Sequence, residues 1–155
     1  MTGPDRLGVA LPLGSLTLLL AALWAELVWG LPPCPLCHGQ RAGHLIALVG
    51  AVGLFRRSAP WAGLGALGVG LSGQIGLYQA GAEAGWWVLR AGCGGAPDLS
   101  GLSPEAALAR MLATGQAACD QAPWALAGLS LAGWNALLSG LLLTGWALLI
   151  RRLSR

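Results

Sequence analysis

Charge is what this sequence has least of. Asp, Glu, Lys and Arg together make up 10% of 155 residues, where a soluble domain carries about 25%. That is too little polar material to cover a globular surface, so a membrane class comes before a soluble one. Lysine is absent altogether: all nine cations are Arg, and the net charge is only +3. The arginines fall in short clusters far apart and are not gathered in one patch, which makes nucleic-acid binding a poor reading. Phe and Tyr occur once each beside eight Trp, and Trp prefers the half-wet membrane–water boundary. No internal repeat and no low-complexity tail is visible.

What is present is apolar. Hydrophobic residues make up 55% of the chain and mean hydropathy is +0.66. Four long apolar stretches can be drawn, at about 7–29, 37–55, 61–80 and 125–150, each near the ~20 residues a spanning helix needs. Pro12 and Glu26 interrupt the first. The third is rich in glycine (Gly63, Gly65, Gly68, Gly70, Gly73, Gly76), and small residues let helix backbones approach closely in lipid. The connections at about 30–36 and 81–124 lie on one side of a four-span layout. A cleaved signal peptide at the N-terminus is disfavoured, because the apolar run exceeds the usual 7–15 residues and no A-x-A site follows it. The expected architecture is an all-α membrane protein, a four-helix transmembrane bundle in a single domain.

The arginines orient it. Arg6, Arg56, Arg57, Arg151, Arg152 and Arg155 share one side, while Arg90 and Arg110 lie opposite among Glu83, Asp98, Glu105 and Asp120. The positive-inside rule then places both termini and the Arg56–Arg57 turn in the cytoplasm and both loops outside. In the long outer loop, 103-SPEAALARMLAT-114 predicts a short amphipathic helix, with Ser103 as N-cap, Pro104 at the first helical position and Glu105 in the first turn. Its apolar face would hold Leu108, Met111 and Leu112, and Trp86 and Trp87 suit interface anchors.

The stretch 31-LPPCPLCHGQRAGH-44 carries the chemistry. Cys34 and Cys37 form a CxxC, and Cys93 and Cys119 lie in the long loop; four cysteines allow three pairings. A plain staple fits Cys93–Cys119, which would close a long loop. It fits Cys34–Cys37 poorly, because so short a ring adds little. Zinc would want two close-spaced ligand pairs, and the second pair here is 26 positions apart, so no metal is expected. A thioredoxin-like CxxC needs a βαβ setting, and no such strands are visible.

Pro35 suits the first helical position, so the second helix should begin between the two cysteines. Cys37 and Arg41 are then i and i+4 on one face. The helix N-terminus and the guanidinium both favour a Cys37 thiolate. Left unpaired at the bilayer centre, an arginine costs at least ~2.5 kcal/mol. Beside a nucleophilic sulfur it can bind an electron-rich oxygen such as a quinone carbonyl; the alternative is that it snorkels to the headgroups. His44 follows three residues later, as a polar tether within the bundle or as a proton carrier. Glu26 is expected to pair with Arg41 or with outer water. Gln74, Gln79 and Asn135 suit interhelical hydrogen bonds.

At these residues the chain resembles the DsbB family of bacterial inner-membrane disulfide-forming oxidases. The resemblance rests on 30-GLPPCPLCHGQR-41, 77-LYQAGAEAGWW-87 and 118-ACDQAPWALAGLSLAGWN-135. It implies a four-helix bundle with a short horizontal helix in the second periplasmic loop. It also implies a Cys93–Cys119 disulfide that oxidises a periplasmic thioredoxin-fold partner of the DsbA type, with Cys93 in the mixed disulfide. Electrons would pass through a transient Cys34–Cys119 bridge to Cys34–Cys37, leaving Cys37 facing ubiquinone or menaquinone and Arg41 polarising the quinone oxygen. This is the route that keeps the bacterial periplasm oxidising. Many relatives carry a histidine where this chain has Gln79 in 78-YQA-80, so a quinone contact there would be a neutral hydrogen bond. The first span is also short on its outer side, which brings Glu26 near the cysteines. The competing class is a four-span structural or assembly protein with a disulfide-stapled outer loop.

Overall fold

A computed structural model describes residues 6–52, 58–89, 93, 100–113 and 118–155. The Arg56–Arg57 turn, the end of the second stretch at Phe55, Arg90 and Asp98 lie outside the described residues, as do the side chains of Arg6, Arg110, Met111 and Leu112. The elements are α1 (Arg6–Leu27), α2 (Pro35–Gly50), α3 (Ala59–Glu83), α4 (Pro104–Ala113), β1 (Ala125–Leu126), β2 (Leu129–Ser130) and α5 (Leu131–Leu153). The protein is mostly helical. Two helices, over Leu7–Leu27 and Leu131–Leu153, are long and apolar enough to cross a membrane. The 25-residue α3 is diluted by its glycines, and α2 is described for only 16 residues.

The long helices close a ring in which α2 packs on α3, α3 on α5, and α1 on both α2 and α5. Glycine sets the tightest contact. A Cβ on Gly68 would stand 2.5 Å from the carbonyl oxygen of Gly43, and one on Gly43 would stand 2.7 Å from the carbonyl oxygen of Gly68. Only a missing side chain lets α2 and α3 run so close. At one end Leu11, Ala47, Ala62, Val69, Trp146 and Leu149 fill the centre. At the other, Cys34, Ala82, Leu89 and Cys119 form a second buried cluster. Leucines outside the ring stay exposed, among them Leu13, Leu20, Leu67, Leu77 and Leu141.

Several boundaries differ from the sequence reading. The fourth helix was expected from about Ala125, but 125–130 forms an antiparallel hairpin pairing Ala125 with Ser130 and Leu126 with Leu129. Ala127 and Gly128 take φ of 51° and 80°, the two-residue turn that suits the twist of paired strands. Because ALAGLS is as apolar as the helix after it, hydropathy conceals the break. Ser130 then starts α5 by accepting from the Gly133 N–H at 3.1 Å. The hairpin is also an exception to an all-α fold. The third helix runs to Glu83, three residues past Ala80, and this draws an acid assigned to the loop into the helix. The loop helix α4 starts as its sequence predicts, with Ser103 Oγ accepting from the Ala106 N–H at 3.3 Å.

Candidate functional site: a dithiol, a disulfide and a shared cavity

The N-terminus of α2 places the CxxC. Pro35 is its first residue and Cys34 its N-cap, so the helix does begin between the two cysteines. The Cys37 N–H points at the Cys34 sulfur, 3.3 Å away. The free N–H of the helix end therefore serves Cys34, whereas the sequence reading assigned the helix N-terminus to Cys37. Cys34 and Cys37 are free thiols with sulfurs 2.9 Å apart. Cys34 is fully enclosed and Cys37 half-buried. The adjacent Cys37 sulfur, and then burial, hold the Cys34 thiol well above the ordinary thiol range.

Cys93 and Cys119 form a disulfide with a Cα–Cα distance of 5.3 Å. The Cys119 N–H donates to the Cys93 carbonyl at 2.7 Å. Of the three pairings open to four cysteines, this bridge belongs to the one that leaves Cys34 and Cys37 to each other, here as free thiols. Cys119 is completely buried in the same apolar cluster as Cys34, with Cys37 and Cys93 packed against it. The two cysteine pairs, far apart in sequence, thus share one small volume.

Beneath Cys37 lies a cavity of about 330 Å³, lined by Cys34, Cys37, Arg41, His44 and Gln79 and, from the far side, by Trp124 and Asn135. Trp124 stacks on Trp29 at 5.7 Å, so the end of α1 and the loop before the hairpin meet there. Arg41 does not snorkel freely. Its Nη1 donates to Glu26 at 2.5 Å and its Nη2 to the Ala22 carbonyl at 3.2 Å, while its buried Nε has no partner among the described residues.

His44 is 2% exposed and acts as a tether. Asn135 donates its amide to the Ser72 carbonyl at 3.2 Å and to Ser72 Oγ at 3.1 Å. A carbonyl can only accept, so Asn135 Oδ1 must be the end that faces His44 Nε2 at 2.8 Å. That nitrogen is the protonated one, and Nδ1 is a bare acceptor with no partner among the described residues. His38 is exposed at the rim.

Gln79 sits against the thiols. Its Oε1 lies 3.7 Å from Cys34 Sγ and 3.9 Å from Cys37 Sγ. It also accepts from Gln40 Nε2 at 2.8 Å. Sequence reasoning missed Gln40, which belongs to the CPLCxxQR element but received no role. The signal was its place three residues after Cys37, on the face turned to α3. Glu83, read only as a loop acid, likewise meets this group, accepting from Gln79 Nε2 at 3.0 Å.

The comparisons agree with this geometry. The family described as Disulfide bond formation protein DsbB matches residues 4–149. A protein named Disulfide bond formation protein B from Polaromonas sp. is 32% identical over 98% of this chain and 94% of its own length. Proteins of the same name from Verminephrobacter eiseniae and Dechloromonas aromatica are each 31% identical, covering 86% and 94% of this chain and 78% and 91% of their own lengths. No solved structure matches. A match over nearly the whole chain, on a fold that gathers its four cysteines, leads to one conclusion: the chain belongs to the DsbB family of disulfide bond formation proteins.

Proposed function

We propose that the chain is a disulfide-generating oxidoreductase of the bacterial inner membrane, a four-helix transmembrane bundle with cytoplasmic termini and periplasmic cysteines. The Cys93–Cys119 disulfide oxidises a thioredoxin-fold dithiol of the DsbA type: the partner gains a disulfide, and Cys93 and Cys119 gain the two electrons and two protons. The Cys34–Cys37 disulfide then reoxidises the loop pair by a second exchange. One observation carries this reading: Cys34 and Cys119 lie in the same buried cluster, so the two pairs need no long movement to exchange.

Reoxidation of Cys34–Cys37 needs a two-electron acceptor, and a membrane quinone, ubiquinone or menaquinone, would supply it. The residues present fit such a group. A volume of about 330 Å³ falls within the ~300–1,000 Å³ of ordinary ligand pockets. Among the described residues Arg41 Nε is a buried donor without an acceptor and His44 Nδ1 a buried acceptor without a donor, both on residues of the cavity wall. Arg41 would hold a quinone oxygen through Nε while Glu26 and Ala22 fix its other nitrogens. His44 Nδ1 suits a hydroxyl hydrogen, and Cys37 presents the sulfur. Gln79 lines the same space, but its carbonyl is already engaged with Gln40 and the thiols, so its part is with the sulfurs.

The bilayer setting rests on the outward leucines of α1, α3 and α5, an apolar surface too extensive for water, and on the arginine asymmetry. Alkylation trapping in cells tests the whole reading. Cys34–Cys37 should cycle between reduced and oxidised as quinone supply is changed; a pair that stays oxidised throughout would mark a stapled structural protein instead.

A further inference from the structure

Glu83 ends α3 one turn after Gln79. Its Oε1 accepts from Gln79 Nε2 at 3.0 Å, and its buried Oε2 has no partner among the described residues. Glu83, Gln79 and Gln40 form a chain in which Gln40 donates to Gln79 and Gln79 donates to Glu83. The two amides could both turn over and still bond to each other, since each end of an amide can serve either role. An ionised carboxylate cannot turn over, because it only accepts. Glu83 is therefore the member that sets the direction of the chain.

That direction decides what the cysteines meet. As held, Gln79 presents its carbonyl oxygen to Cys34 Sγ at 3.7 Å, while Cys37 Sγ lies 3.9 Å from that oxygen and 4.0 Å from the amide nitrogen. Two thiols offer S–H donors to that oxygen and a disulfide offers none. An acceptor placed there stabilises the dithiol relative to the disulfide. We propose that Glu83 is a positioning residue for the Cys34–Cys37 couple, holding Gln79 so that its carbonyl favours the reduced pair and makes the couple a stronger oxidant. The inference rests on the redox role given to Cys34–Cys37 above and adds a determinant of its potential.

The test is a double-mutant cycle read as an equilibrium. In a full-length Cys93→Ser/Cys119→Ser background, the remaining couple is equilibrated with glutathione. Each Cys34–Cys37 disulfide consumes two glutathione thiols and yields one dithiol and one glutathione disulfide. Glu83→Gln keeps the shape but loses the acceptor-only end. It should lower the equilibrium constant for reduction by about three- to tenfold, about 15–30 mV for a two-electron couple. In a Gln79→Leu background the same change should have no effect, because Glu83 acts through that amide. An equal shift in both backgrounds would mean that Glu83 acts directly by its charge, and no shift in either would mean that it sets nothing; both overturn the proposal. Addition of a water-soluble quinone to the unmutated protein, run in parallel, reports on the proposed function separately.

Discussion

Arg41 on α2 donates from Nη1 to the Glu26 carboxylate on α1 at 2.5 Å, their side chains 18% and 32% exposed, and Arg41 lines the cavity under the cysteines. The pair accounts for a cation set into an apolar helix. It also commits one edge of the guanidinium to the protein and leaves Nε without a partner among the described residues. Arg41→Ala should raise the apparent KM for quinone about ten- to hundredfold, the range for one charge-assisted hydrogen bond, with partner oxidation at saturating quinone affected much less. Steady-state kinetics with varied quinone checks this, and an unchanged KM removes Arg41 from the site.

Glu26→Ala leaves Arg41 in place but without its holder. Since both groups are partly exposed, the loss of stability should be about 1–2 kcal/mol, short of the cost of breaking a fully buried pair. Thermal unfolding in detergent measures it. Quinone KM should rise less than in Arg41→Ala, because the donor is misplaced and not deleted.

Asn135→Leu should cost about 1–3 kcal/mol, since it leaves the His44 Nε2–H with only the longer 3.5 Å contact to Ser139 Oγ and removes the amide donor to Ser72 Oγ. Its signature is a lowered Tm in detergent with the Cys93–Cys119 disulfide still formed, as judged by thiol labelling under denaturing conditions.

Gly68→Ala places a methyl 2.5 Å from the Gly43 carbonyl oxygen, and α2 must move away from α3 to admit it. Overpacking of this kind costs about 1–3 kcal/mol. Gly63→Ala, whose added carbon meets nothing within 4 Å, should be neutral by the same thermal assay.

In the reduced protein Cys34 should be the slower cysteine of its pair toward a thiolate-selective alkylating agent. Its thiol is held above the ordinary range by the Cys37 sulfur and by burial, so at pH 7 to 9 its thiolate fraction lies below that of a free cysteine. The rate at Cys34 should still be climbing with pH where a free cysteine has levelled off. Mass spectrometry of partially labelled protein gives the two rates, and equal labelling at neutral pH contradicts the arrangement.

Much of this site was legible in the sequence because local spacing set it. Pro35 between the cysteines fixed where α2 starts, and the i, i+4 spacing put Cys37 and Arg41 on one wall. An acid near the outer end of α1 was the natural partner for that arginine, and Glu26 is its partner. What stayed hidden depended on contacts between distant elements or on backbone detail. Gln40 and Glu83 become members of the thiol group only when α3 lies along α2. The 125–130 hairpin is written in positive φ values at Ala127 and Gly128, to which hydropathy is blind. The direction of the helix-end N–H was also beyond reach, because it depends on how the Cys34 side chain folds back over the first turn.

Dithiol electrons are proposed to leave through the cavity beneath Cys37 to a quinone. Purified protein reconstituted in liposomes with a reduced thioredoxin-fold dithiol protein and ubiquinone, followed by quinone absorbance, tests it most directly. One quinone should be reduced for each partner disulfide formed, with the reaction abolished by Cys37→Ser. Partner oxidation without quinone reduction, or quinone reduction that survives Cys37→Ser, would contradict it.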